Sequence, residues 1–242
     1  MNQKKLTLGI LQCDSVLEQF KSTFGNYPEM LTRLFIHIDP SIKIYVYNIQ
    51  SGQYPANINE CDAYITTGSK ASVYEQKDWI KIFEDYIRSL HNTRKKLVGI
   101  CFGHQLIAQA LGGKTEAAPQ GWGVGVHSYP IINRPPWISS KINAFNLIVS
   151  HQDQVVQLPE HAELIAGNDF CPNSAFSVGS HIFTTQGHPE FSKEYSAALM
   201  QYRKNILGQT LLQQGLDSLK KPTDHLAFTQ WIVNFATQKR AA

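Results

Sequence analysis

The chain has 242 residues, 43% of them hydrophobic, which is enough to bury one sizeable core and somewhat long for a single α/β domain of average size. Its 22 Lys and Arg are interspersed with 19 Asp and Glu for a net +3, and the basic runs Lys4-Lys5, Arg94-Lys95-Lys96 and Lys220-Lys221 are short. They read as solvated faces, so neither nucleic-acid nor membrane-surface binding is indicated. The four cysteines form no C-x-x-C pair, no apolar h-region opens the chain, and no run of 18 apolar residues occurs; the expectation is a soluble cytoplasmic protein with reduced thiols.

In chain order, Leu6 to Gln12 reads as a strand, Glu29 to His37 as a helix, Ile42 to Tyr47 and Ala63 to Thr67 as strands. Trp79 to Leu90 reads as an amphipathic helix, with Ile80, Ile82, Phe83, Tyr86 and Ile87 on or near one face. Leu97 to Ile100 reads as a short buried strand, followed by a helix from Gln105 to Leu111 that Gly112-Gly113 closes. Alternation of this kind predicts an α/β fold, a mostly parallel sheet with helices on both faces and ligands at the carboxyl ends of the strands. From Gly121 to Thr185 the texture changes to short β-like runs, Val124 to Ile132, Phe145 to Val149 and Leu164 to Ala166, read as antiparallel additions and the last strands of the same sheet. Beyond Phe191, helices are expected over Glu194 to Ile206, Thr210 to Leu219 and His225 to Phe235, with a break at Pro222 and Asp224.

Gly99-Ile100-Cys101-Phe102-Gly103-His104-Gln105 places one cysteine where the buried strand meets the helix. That pattern is a nucleophile elbow: the turn is sharp, and glycines two positions either side of Cys101 leave room for a strained backbone. A helix N-terminus beside the sulfur favours the thiolate and offers N–H groups to a developing oxyanion. The plainer reading of such a cysteine is a buried core residue.

Downstream, Gln186-Gly187-His188-Pro189-Glu190-Phe191 follows the β-branched run Ile182 to Thr185. In extended backbone, residues two apart share a side, and Pro189 biases His188 away from helix, so His188 and Glu190 are expected to face one way. A carboxylate beside an imidazole selects its tautomer and stabilises the imidazolium, which a cysteine nucleophile's general base requires. Cys101, His188 and Glu190 are therefore the candidate catalytic triad.

These two segments together resemble the class I glutamine amidotransferase family, which carries a G-x-C-x-G-x-Q elbow and a distal H-x-E pair. The resemblance runs from about Leu6 to Phe191, and three weaker segments, Asn26 to Met30, Thr67 to Ser72 and Gly121 to Gly125, look most like a stand-alone branch that includes γ-glutamyl peptidases. It implies a flavodoxin-like domain over 1–191 with 192–242 as a helical extension packed on it. It also implies an oxyanion hole from the backbone N–H groups of Gly68 and Phe102, and contacts to the glutamyl amino and carboxyl groups from Gln105, Ser150, His151 and Gln152. Ser69 stands where many amidotransferases have a second glycine, which leaves the backbone donor in place.

The plainer readings are an exposed helix position for Gln105, a packed loop position for His151, and core cover for Trp122, which also lies where it can border the pocket. Cys13, Cys61 and Cys171 read as structural, His104 as facing away from the site, and the nine histidines show no metal-ligand spacing, so no metal or cofactor is expected. The implied activity is glutaminase-type hydrolysis of a γ-glutamyl amide through a cysteinyl thioester, on a small-molecule substrate. Hydrolysis of γ-glutamyl peptides is the alternative, and a catalytically silent glutamine-binding regulator is a third class that the intact Cys-His-Glu set argues against. A synthetase partner and a second copy of the chain both stay open as partners.

Overall fold

The computed structural model describes residues 5–139 and 141–238; Lys4 of the first basic run lies outside them. The strands in chain order are β1 (Thr7–Gln12), β2 (Lys43–Asn48), β3 (Ala63–Thr66), β4 (Lys96–Ile100), β5 (Lys114–Ala117) and β6 (Gly123–Pro130). Then come β7 (Ala144–His151), β8 (Asp153–Gln157), β9 (Ala162–Ala166), β10 (Ala175–Val178) and β11 (Ile182–Thr185). Seven of them form one sheet in the order β2-β1-β3-β4-β11-β10-β9. The first five in that order are parallel, while β10 and β9 run antiparallel at one edge. The five parallel strands have the flavodoxin-like arrangement, with chain direction across the sheet reversing between β1 and β3.

Burial explains which strands lie centrally. Every residue of β3, β4 and β11 is buried, as the near-continuous apolar runs of a sheet covered on both faces require, whereas the edge strand β2 leaves Tyr45 and Val46 exposed. Successive residues alternate between two cores. Val98 and Phe183 face one with Leu31 and Phe35; Leu97 and Ile182 face the other with Phe83, Ile87, Leu106 and Ile107.

The helices are α1 (Glu18–Phe24), α2 (Tyr27–Ile38), α3 (Asp78–Asn92), α4 (Phe102–Ala110), α5 (Lys193–Tyr202), α6 (Lys204–Ser218) and α7 (His225–Thr237). Asn26 and Glu29 close a capping box at the start of α2, and α3 buries the stripe Ile80, Phe83, Ile87 and Leu90. The C-terminal helix belongs to the core: Phe228 stacks on Phe183 at 5.5 Å between ring centroids, and Trp231 meets Phe145 edge-on at 5.8 Å.

The structure departs from the sequence expectations in three places. The runs beginning at Val124 and Phe145 lie outside the central sheet, β6 pairing with β7 and β5 with β8 as separate antiparallel ribbons. The helix expected over Glu194 to Ile206 is cut at Arg203, a turn residue between α5 and α6, and α6 kinks at Gly208 where φ is 73°. Helix α1 and strands β5, β8 and β10 escaped the sequence reading: α1 buries no residue, and Lys114–Ala117, Asp153–Gln157 and Ala175–Val178 are short and carry polar residues among the apolar ones. Among the described residues, no helix is long and apolar enough to cross a membrane.

Candidate active site

Four neighbouring parallel strands deliver residues to one end of the sheet. Asp14 follows β1, Gly68 follows β3, Cys101 follows β4 and His188 follows β11, all past the carboxyl ends. Cys101 joins β4 directly to α4 with φ 50° and ψ −103°, a conformation that holds roughly 1–3 kcal/mol of strain and needs its surroundings to enforce it. Its N–H donates to the Thr185 carbonyl at 2.8 Å, tying the elbow to the strand that leads to His188.

The flanking glycines are explained by close approach. A Cβ on Gly99 would lie 2.9 Å from the Gly103 carbonyl, and one on Gly103 would run into the Thr66 side chain. Thr66 cannot withdraw freely, since its Oγ1 accepts the Ile100 N–H at 3.1 Å.

His188 begins from a β-bridge: its N–H donates to the Ile148 carbonyl at 2.8 Å. Pro189 and Glu190 then turn, so Glu190 is not in the extended backbone that the spacing suggested; the turn itself brings its Oε1 to 2.8 Å from His188 Nδ1. Burial on its own pulls the imidazole pKa down, but the charges of Glu190 and Cys101 outweigh it and raise it to about 10. The ring is therefore held as imidazolium at neutral pH. Phe191 covers one ring face, stacked at 3.9 Å between centroids.

The loop after β3 is fixed from beneath. A Cβ built on Gly68 would lie 2.9 Å from His188 Cε1 and 3.6 Å from Cys101 Cβ, so glycine lets the backbone approach both. The Asp14 carboxylate, 7% exposed, accepts the Lys70 N–H at 3.0 Å and the Ser15 N–H at 2.8 Å, and the Ser69 hydroxyl donates to it at 3.4 Å. Phe102 turns its ring away, 5.4 Å from the Trp79 ring, so only its backbone can serve the elbow.

Cys101, Gln105, Ser150, His151 and Gln152 all line one recess. Gln105 is buried on the elbow helix, its Nε2 donating to the Asp153 carbonyl at 2.8 Å and to Gln186 Oε1 at 3.0 Å. The exposed-helix reading of Gln105 is therefore wrong. His151 is a packed residue, its Nδ1 3.0 Å from the Asp153 carbonyl and its ring edge-on to Phe170. Burial holds it uncharged, with a pKa near 3. His104 does face elsewhere, 2.8 Å from Thr184 Oγ1.

Trp122 borders this recess, together with Lys70 and Arg203. An adjoining recess shares Cys101, Ser150, Lys70 and Arg203 and is completed by Gly68, His188, Tyr27 and Phe191. Arg203 places its guanidinium 4.9 Å from the Trp122 ring centre and donates to Ser150 Oγ at 2.7 Å. Sequence reasoning missed Asp14, Lys70 and Arg203. The strand-end rule points to Asp14, but nothing marks Arg203 within a helical run. Among the described residues, no group of three His, Cys, Asp or Glu side chains is placed to hold a metal ion.

The glutamine amidotransferase class-I family model matches residues 23–204. The chain is 30% identical to γ-glutamyl peptidase 3 of Arabidopsis thaliana over 229 residues, covering 91% of this chain and 89% of that protein. It is 28% identical to γ-glutamyl peptidase 2 of the same plant over 211 residues, 84% of each chain. The crystal structure of a glutamine amidotransferase from Thermotoga maritima superposes with a TM-score of 0.77 at 14% identity, covering 98% of this chain and 100% of that one, a likeness of fold. The elbow, the paired histidine and carboxylate, and this match over three quarters of the sequence have one explanation: the chain belongs to the class I glutamine amidotransferase family.

Proposed function

We propose that the chain hydrolyses γ-glutamyl amides through a thioester on Cys101. The observation that carries this reading is the meeting, at adjacent strand ends, of a cysteine held at φ 50° and an imidazole paired to a buried carboxylate at 2.8 Å. The Cys101 sulfur, as thiolate, attacks the γ-carbonyl carbon, and the Phe102 and Gly68 N–H groups receive the oxyanion. His188 donates its proton to the leaving nitrogen as the C–N bond breaks. It then takes a proton from the water that attacks the thioester, glutamate leaves, and the thiolate and imidazolium are restored. Glu190 orients the ring and holds its charge.

Gln105 and the Ser150 to Gln152 segment line the recess into which the glutamyl half would extend. The relatives named γ-glutamyl peptidases favour an amine as well as ammonia for the leaving group. Acid-quenching the enzyme during turnover of a γ-glutamyl dipeptide, followed by peptide mapping, tests the reading. The expected result is one glutamyl residue on the peptide that contains Cys101. Adduct on another residue, or glutamate release that never passes through an adduct, overturns it.

A further inference from the structure

Arg203 has its positive charge in the site without an anion to meet it. Its contacts are the Trp122 ring at 4.9 Å and Ser150 Oγ at 2.7 Å, and no carboxylate among the described residues pairs with it. Two features make it a receptor for an anion. An indole ring and a hydroxyl hold the guanidinium in place, and the donors not used by Ser150 can pair with a carboxylate. A second cation lies beside it: Lys70 lines both recesses, 69% exposed, its Nζ a long 3.4 Å from Asp14.

The location brings these cations within reach of the leaving half of a substrate. His188 must reach the leaving nitrogen, so the leaving half occupies the recess that His188 lines with Tyr27 and Phe191. Arg203 and Lys70 border both recesses and so stand where the two meet, whereas Gln105 and Gln152 border only the other.

Resting on the γ-glutamyl hydrolase reading, we propose that Arg203, assisted by Lys70, binds a carboxylate on the leaving half, which selects γ-glutamyl amino acids and peptides with a free C-terminal carboxylate over glutamine. Ammonia, as a leaving group, brings no such charge and leaves the pair unmatched. Arg203 is in this account a specificity residue that touches substrate, and α5 and α6 exist in part to present it.

The test compares kcat/KM for three substrates: a γ-glutamyl dipeptide with a free C-terminal carboxylate, the same dipeptide as its C-terminal amide, and glutamine. Wild type is expected to favour the acid over the amide by about tenfold or more, a ratio that Arg203→Gln reduces to about twofold or less and Arg203→Lys restores in part. A residue that merely supported Ser150 or the tail would lower all three values together and leave the ratio intact. Equal wild-type rates on acid and amide, or a ratio unchanged in Arg203→Gln, overturn the proposal while the hydrolase reading stands. Failure of wild type to release glutamate from any of the three overturns the hydrolase reading, and the proposal with it.

Discussion

Phe191 lies flat against His188, with ring centroids 3.9 Å apart and planes 13° from parallel, and Tyr27 in turn stacks on Phe191 at 6.1 Å. The imidazole is thus held by an aromatic face and the Glu190 carboxylate, an orientation that the proposed mechanism uses to aim its second nitrogen at Cys101. Phe191→Leu keeps apolar volume but removes the flat face. It is expected to lower kcat several-fold with little change in KM, and to reduce stability by about 1 kcal/mol. Steady-state kinetics alongside urea unfolding checks both.

The charge on His188 has a signature in pH. Its native pKa of about 10 lies above the ordinary value near 6.5, so its contribution to stability is complete below pH 6.5 and is lost as pH rises toward 10. Glu190→Gln removes the carboxylate charge while keeping a group that can orient the ring. The variant is expected to show a smaller alkaline loss of stability than wild type and to retain more activity than His188→Ala. Urea midpoints measured from pH 6 to about 10 test the first expectation, and equal activity of the two variants contradicts the second.

Asp14 makes no contact with Cys101, yet it holds the loop that carries Gly68. Asp14→Asn keeps the volume and loses the charge that fixes the Lys70 N–H at 3.0 Å. Because an oxyanion donor acts only in the transition state, the expected effect is a fall in kcat of about tenfold or more with KM changed less. A fall confined to KM would place Asp14 in substrate binding.

On the acid side, His104 and His151 are buried and uncharged, burial holding both pKa values near 3. Each must take up a proton on unfolding below pH 6.5, so stability is complete above that pH and falls progressively toward pH 3, by up to a few kcal/mol per group. His104→Gln, which is expected to lose some packing at neutral pH, should show a shallower loss across this interval. Thermal unfolding of both proteins at matched pH gives the slopes; identical slopes contradict the assignment.

The shape of the candidate site was legible where backbone geometry is local. The elbow at Cys101 needed only a strand, a glycine-flanked turn and a helix in sequence, whereas His188 and Glu190 meet through a turn at Pro189 and not through the extended spacing that suggested the pair. The meeting of the two segments depends on β4 and β11 being neighbours, Thr185 opposite Ile100, and no local pattern encodes that pairing. Arg203 and Trp122 illustrate the same limit: they meet only after α5 and α6 fold back over β6, so neither residue carries a signal of the other in the chain. The ribbon β6 and β7 reads as sheet strand by composition, and its separation from the central sheet follows from tertiary packing against α5 and α6, which the alternation of side chains does not specify.

If Cys101 forms the covalent bond to substrate, its loss must show in the turnover of Cys101→Ala. The residue is 5% exposed at a fixed turn, so a smaller side chain leaves the fold in place, to be verified by circular dichroism of the same preparation. Glutamate release from γ-glutamyl substrates is expected to fall by about 10³-fold or more. Retention of more than about a tenth of the wild-type rate in a folded, uncontaminated preparation would contradict it.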